Sequence, residues 1–116
     1  MIKYKLTTEQ WKELLKFLNP RVHEGSAMKL FREGLNDRAV MSLVMSELGG
    51  RVAKALFRTS KAHHTITFSY FEAMLMIDVV DSMIGFNIGL IYARNIISLM
   101  NIELNKQLIN YKPKYQ

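Results

Sequence analysis

Four cations, Arg51, Lys54, Arg58 and Lys61, recur at offsets 0, 3, 7 and 10, and their spacing suggests a site. On a helix turning about 100° per residue they occupy an arc of about 80°, with Val52, Ala53 and Leu56 turned the other way. Such a stripe suits phosphate oxygens, which Lys and Arg hold without reading sequence. The competing reading is a solvated face, because exposed charge needs no partner. A further basic group lies at the termini, where Lys3, Lys5, Lys112 and Lys114 stand near Tyr4, Tyr111 and Tyr115. The preceding Gly49-Gly50 invites a helix-turn-helix comparison, with the second helix in a major groove. Only one register places a small residue, Ser46, four before the turn glycine, and the stripe itself offers no Asn, Gln, Ser or Thr to read bases.

The other residues capable of chemistry are sparse. With no cysteine, disulfides, thiolate metal sites and thiol nucleophiles are excluded together. His63 and His64 are adjacent, so they do not share the helical face that an i, i+4 metal pair uses, and His23 is distant. Asp78 and Asp81 lie one turn apart in an apolar stretch, where carboxylates need a polar rim or a partner such as Arg94 or the basic stripe. No nucleophile motif or phosphate-cradling glycine loop stands near them. The expectation is a protein that is not an enzyme, with no cofactor and no metal.

Local signals place these residues on helices. Thr7 reads as an N-cap with Gln10 closing a capping box, and Leu6 is positioned to staple against Trp11. Trp11, Leu14, Leu15 and Leu18 follow at i, i+3, i+4 and i+7, which makes Trp11 a core anchor, and Asn19-Pro20 stops the helix. A short helix is expected over Ser26 to Glu33, ended by Gly34. Asn36 caps the next, with Leu35 facing Val40, and Gly49-Gly50 ends it after Leu48. The stripe's own helix then covers 51 to 61. Ile2 to Leu6 and Thr65 to Phe68 alternate polar and apolar residues, as two short strands pairing in a ribbon would.

Ser69 and Glu72 form a further capping box, which opens a helical stretch of about 70–109. Along it Met76, Val79, Met83, Phe86, Leu90, Ala93, Ile97, Met100 and Leu104 keep an alternating spacing of 3 and 4, a heptad seam. Gly85, Gly89 and Ala93 add a small-residue row that allows close helix approach. Forty helical residues span about 60 Å, whereas a compact domain of this length is only about 35 Å across. Either the helix breaks near Gly85 and folds back, or it stays whole and a second copy covers it. The in-phase seam favours the second, making these eleven positions the expected oligomer interface. Pro113 ends any helix, so 111–116 is expected to be a mobile tail.

The fold expected is a single mostly α domain over 1–116, a bundle of four to five helices with a short ribbon. The 116 residues are 49% hydrophobic and 22% charged, a globular composition. The formal charge of +6 sits in the first half: residues 1 to 61 hold 12 basic and 6 acidic side chains, the remainder 4 of each. The longest uncharged run, Ser82 to Ala93, is too short to span a bilayer, so no membrane insertion is expected. The N-terminus lacks an apolar core of signal-peptide length, and cytoplasmic residence is expected. These features point to a small homo-oligomer whose basic half contacts nucleic acid through phosphates. The alternative is an assembly subunit or protein inhibitor docking on an acidic protein partner.

Overall fold

Alternation along two short segments decides where the chain begins to fold. In a computed structural model that describes residues 1–58, 60–84 and 91–109, β1 (Ile2–Thr7) pairs antiparallel with β2 (His63–Phe68). Ile2 stands opposite Phe68, Tyr4 opposite Ile66 and Leu6 opposite His64, and all six side chains are buried. A period of two sends Lys3, Lys5, Thr65 and Thr67 to the other face. Such a ribbon is marginal alone. Here its inner face is covered by helices: Trp11, fully buried, donates its indole N–H to the His64 carbonyl at 2.9 Å. The Phe68 ring lies 6.1 Å from Trp11 and 6.0 Å from Tyr4 in tilted geometry.

Five helices stand among the described residues: α1 (Thr8–Leu15), α2 (Pro20–Arg32), α3 (Asn36–Arg58), α4 (Tyr70–Ile84) and α5 (Ile91–Ile109). With the ribbon they form the mostly helical bundle read from the sequence. The capping box at Thr7 is present in both directions, Gln10 N–H to Thr7 Oγ1 at 3.1 Å and Thr7 N–H to Gln10 Oε1 at 2.9 Å. Asn19-Pro20 does more than stop α1. The Asn19 side chain accepts from the Arg21 N–H at 3.0 Å and Pro20 occupies the first turn, so α2 begins six residues earlier than Ser26. Gly34, at φ 78°, ends it, with the Gly34 and Leu35 N–H groups returning to Phe31 and Leu30 carbonyls.

The double glycine does not end a helix. α3 runs unbroken through Gly49 and Gly50, and the helix-turn-helix comparison falls with the missing turn. Gly49 is buried where α3 crosses the corner after α1, and a Cβ there would collide with the Leu18 backbone carbonyl. Its lack of a side chain permits close approach of two backbones, a different use of glycine from termination. A Cβ on Gly50 meets open space. The Ser46 hydroxyl donates to the Pro20 carbonyl at 3.0 Å and ties α3 to the start of α2.

The 70–109 stretch is helical on both sides of the undescribed 85–90, but its described parts pack on one another, and the described residues together extend only 41 Å. A straight helix of about 60 Å does not fit that span. Met76, Ala93, Ile97, Met100 and Leu104 all enter the chain's own core, Val79 packs at its edge, and Met83 is half exposed. The apparent single seam therefore divides: on α5 it is the core-facing stripe, whereas α4 turns Ala73, Met76, Val80 and Ile84 inward and shares only Met76 with the seam. Gly85, Phe86, Gly89, Leu90 and the 111–116 tail lie outside the described residues.

The two glycines should respond oppositely to the same substitution. Gly49→Ala should destabilise by about 1 to 3 kcal/mol or more through overpacking, while Gly50→Ala should stabilise by up to about 1 kcal/mol through helix propensity. Urea denaturation of both variants checks this, and equal effects would contradict the close-crossing account.

Candidate nucleic-acid interface

The predicted stripe reaches the folded protein divided. Arg51, on α3, forms a two-pronged pair with Glu72, Nη1 to Oε1 at 3.1 Å and Nη2 to Oε2 at 2.9 Å. Nη1 also donates to the Thr67 carbonyl at 3.2 Å, and the guanidinium lies 5.5 Å above the Phe68 ring. Glu72 is itself placed by its capping box, accepting from the Ser69 N–H at 2.8 Å. Arg51 thus joins α3, β2 and α4, and its charge is spent within the fold. The hydrogen bonds from Arg51 hold the Glu72 carboxyl below the usual carboxylate range, against the opposing effect of burial, and Glu72 in turn raises Arg51.

Lys54 and Arg58, one and two turns further along, stay exposed. With Arg51, Ala55, Thr65, Ile66 and Thr67 they line a groove of about 260 Å³ between α3 and β2. Glu47 shares a shallow depression with Lys54 on the other side without an ion pair. Lys61 lies beyond the end of α3, where its carbonyl accepts from the Thr8 hydroxyl at 2.7 Å and its side chain is exposed.

What the structure adds is the ribbon's outer face. Lys3 stands opposite Thr67 and Lys5 opposite Thr65. The two threonines that line the groove are therefore one strand spacing, about 4.8 Å, from the two lysines. Lys3 and Lys5 flank β2 from the β1 side, where they also border a cavity with Glu103, and Lys54 and Arg58 flank it from the α3 side; none of the four forms an ion pair with an acid among the described residues, whereas Lys12, Lys16 and Arg51 do. The available signal was the alternation itself, which puts residues 3 and 5 on the polar face, but the pairing register with 65 and 67 was needed to place them beside the stripe.

Both ribbon edges are covered by side chains. Gln107 of α5 accepts from the Lys3 N–H and donates to the Lys3 carbonyl, each at 3.0 Å, while Arg51 covers the Thr67 carbonyl. Tyr4 is not a surface aromatic beside the lysines. It is buried, its hydroxyl lacks a partner among the described residues, and burial together with Glu103 pushes its pKa up to about 12.

The remaining chemical candidates are dispersed. The His23 ring lies 2.7 Å from the Phe17 carbonyl, His64 is buried on the ribbon's inner face, and His63 is exposed. Asp78 and Asp81 both face solvent. No group of three His, Asp or Glu able to hold a metal occurs among the described residues, and no helix among them is long and apolar enough to cross a membrane. No protein-family model, curated protein or solved structure matches this chain.

The Arg51–Glu72 pair has a signed pH dependence. A carboxylate whose folded pKa is depressed stabilises the fold above its unfolded value, near 4.3, and that contribution is lost as pH falls through the folded value. Glu72→Gln keeps the capping geometry and removes the charge. It should destabilise at pH 7 by on the order of 1 kcal/mol, limited by solvent screening of a partly exposed pair, and the difference from the parent should shrink in acid. Denaturation midpoints at pH 7 and about pH 3 test it; a gap that stays constant would show that the ion pair contributes nothing.

Proposed function

We propose that this chain is a non-enzymatic, self-associating protein that holds the phosphate backbone of nucleic acid on the face formed by Lys3, Lys5, Lys54 and Arg58. The observation that carries this reading is the convergence of four cations, none paired with a described acid, on Thr65 and Thr67, whose hydroxyls are suited to phosphate or sugar oxygens. Lys61 is peripheral to that face. Arg51 supports it mechanically by fixing α3 against β2. Contacts of this kind position a ligand and carry no base information, so affinity should depend on salt and scarcely on sequence.

Lys54→Ala combined with Arg58→Ala should lower the slope of log affinity against log salt by about 1.4 to 1.8 and weaken random oligonucleotides alike. Titration of fluorescent oligonucleotides at several salt concentrations measures this. Docking on an acidic protein is the alternative, and it predicts no oligonucleotide binding even at low salt.

Self-association has its own support on the opposite part of the chain. The hairpin of α2 and α3 encloses an apolar groove of about 450 Å³, floored by buried Ala27 and Ala39 and walled by exposed Met28, Phe31, Val40 and Leu43. These four side chains leave on the order of 400 Å² of surface open, about half of the ~800 Å² that each partner covers in a standard interface and enough to seed one. Residues 24 to 38 carry three acids and three bases, so two hairpins meet without net repulsion although the chain is basic. The occupant we assign is a second copy. Sedimentation equilibrium at micromolar concentration should give at least twice 13.5 kDa, and Phe31→Glu with Val40→Glu should return the monomer; a parent that sediments as a monomer removes this half of the reading.

A further inference from the structure

We propose that Phe57 is a stacking platform for an unpaired base, which makes single-stranded nucleic acid the ligand of the basic face; this rests on the phosphate-binding reading above. Phe57 occupies the last turn of α3 and is 89% exposed, more than any other large apolar side chain among the described residues. It is not a core residue left partly open. Val52 is fully buried, while Ala55 and Leu56 pack against the core, so the helix has already committed another side to the interior.

Its neighbours give the exposure a direction. At about 100° per residue, Phe57 lies about 60° to one side of Lys54 and Arg58 about 40° to the other, so the ring and both cations share an arc of about 100° at one helix end. Cations beside an exposed ring are the arrangement by which single strands are held: phosphates are neutralised at the sides while a base lays its face on the aromatic. On the other side of the same two cations, where Ala55 faces the groove about 160° from the ring, Thr65 and Thr67 extend the polar track towards Lys5 and Lys3. A duplex keeps its base faces stacked inside and offers such a ring only an edge or a sugar. The ring therefore distinguishes the two forms of ligand, while the cations do not.

The test uses the full chain with a fluorescent oligodeoxythymidine of about 15 nucleotides, near the upper site size of such platforms, and a duplex of the same length. Phe57→Ala should weaken the single strand by about 5- to 150-fold, leave the duplex unchanged and leave the salt slope intact, because no charge is removed. Phe57→Tyr should retain binding. In Phe57→Trp the new indole, distinct from buried Trp11, should be quenched by the single strand. Equal loss of both ligands, or no loss of either, with salt-dependent binding preserved, overturns the stacking role and leaves the basic face standing. Absence of any salt-dependent binding by the parent protein overturns the basic face and the stacking role together. Quenching of the indole introduced by Phe57→Trp with anionic phospholipid vesicles, and not with the oligonucleotide, likewise overturns the stacking role.

Discussion

A two-stranded ribbon needs something apolar to lie on, and in this protein that requirement organises the rest. Ile2, Tyr4, Leu6, His64, Ile66 and Phe68 form one buried face, and the Trp11 indole is both its largest cover and a hydrogen-bond donor to it. Burying that face commits the opposite one. Since side chains alternate, Lys3, Lys5, Thr65 and Thr67 must point outward together, and a slip of one residue would exchange core for surface. The register that makes the core is thus the same fact that assembles the basic face.

The helices are held to the ribbon by polar contacts as well as by packing. Arg51 reaches the Thr67 carbonyl, the Phe68 ring and Glu72, and Gln107 closes the opposite edge at Lys3. These contacts fix α3 and α5 along the two sides of the ribbon. They also divide labour among residues of one type: Arg51 is a brace because a carboxylate lies within its reach, while Lys54 and Arg58, on the same helix, meet none among the described residues.

The molecule's apolar surface is unevenly spread. Among the described residues α2 packs chiefly on α3, and in the outer part of that hairpin Ala27 and Ala39 are buried apart from the main core. The end of α3 far from that hairpin carries the cations and Phe57. One helix of 23 residues, about 35 Å long, therefore joins an apolar end suited to protein contact and a basic end suited to an anion. Gly49, between them, lets the helix pass over the corner after α1 without breaking.

By itself the sequence determined the elements whose signals are local. The capping boxes at Thr7 and Ser69, the stop at Gly34, the alternation of both strands and the burial of Trp11 depend on residues within a few positions of one another, and all are present. The basic character of α3's last turns was legible for the same reason. Tertiary structure alone decided the rest. Whether Gly49 ends a helix or admits a neighbour depends on Leu18, thirty-one residues away. A seam with period 3.5 looks identical whether it faces another chain or the other half of a folded-back pair, so the fate of Met76, Ala93 and Ile97 was set only by what packed against them. Arg51 was separated from its stripe by Glu72, and Lys3 and Lys5 were brought to Thr67 and Thr65, by contacts between residues twenty-one and at least sixty positions apart. Charge and periodicity are properties of a segment, but a partner is a property of the fold, because it depends on which distant side chain arrives within bonding distance.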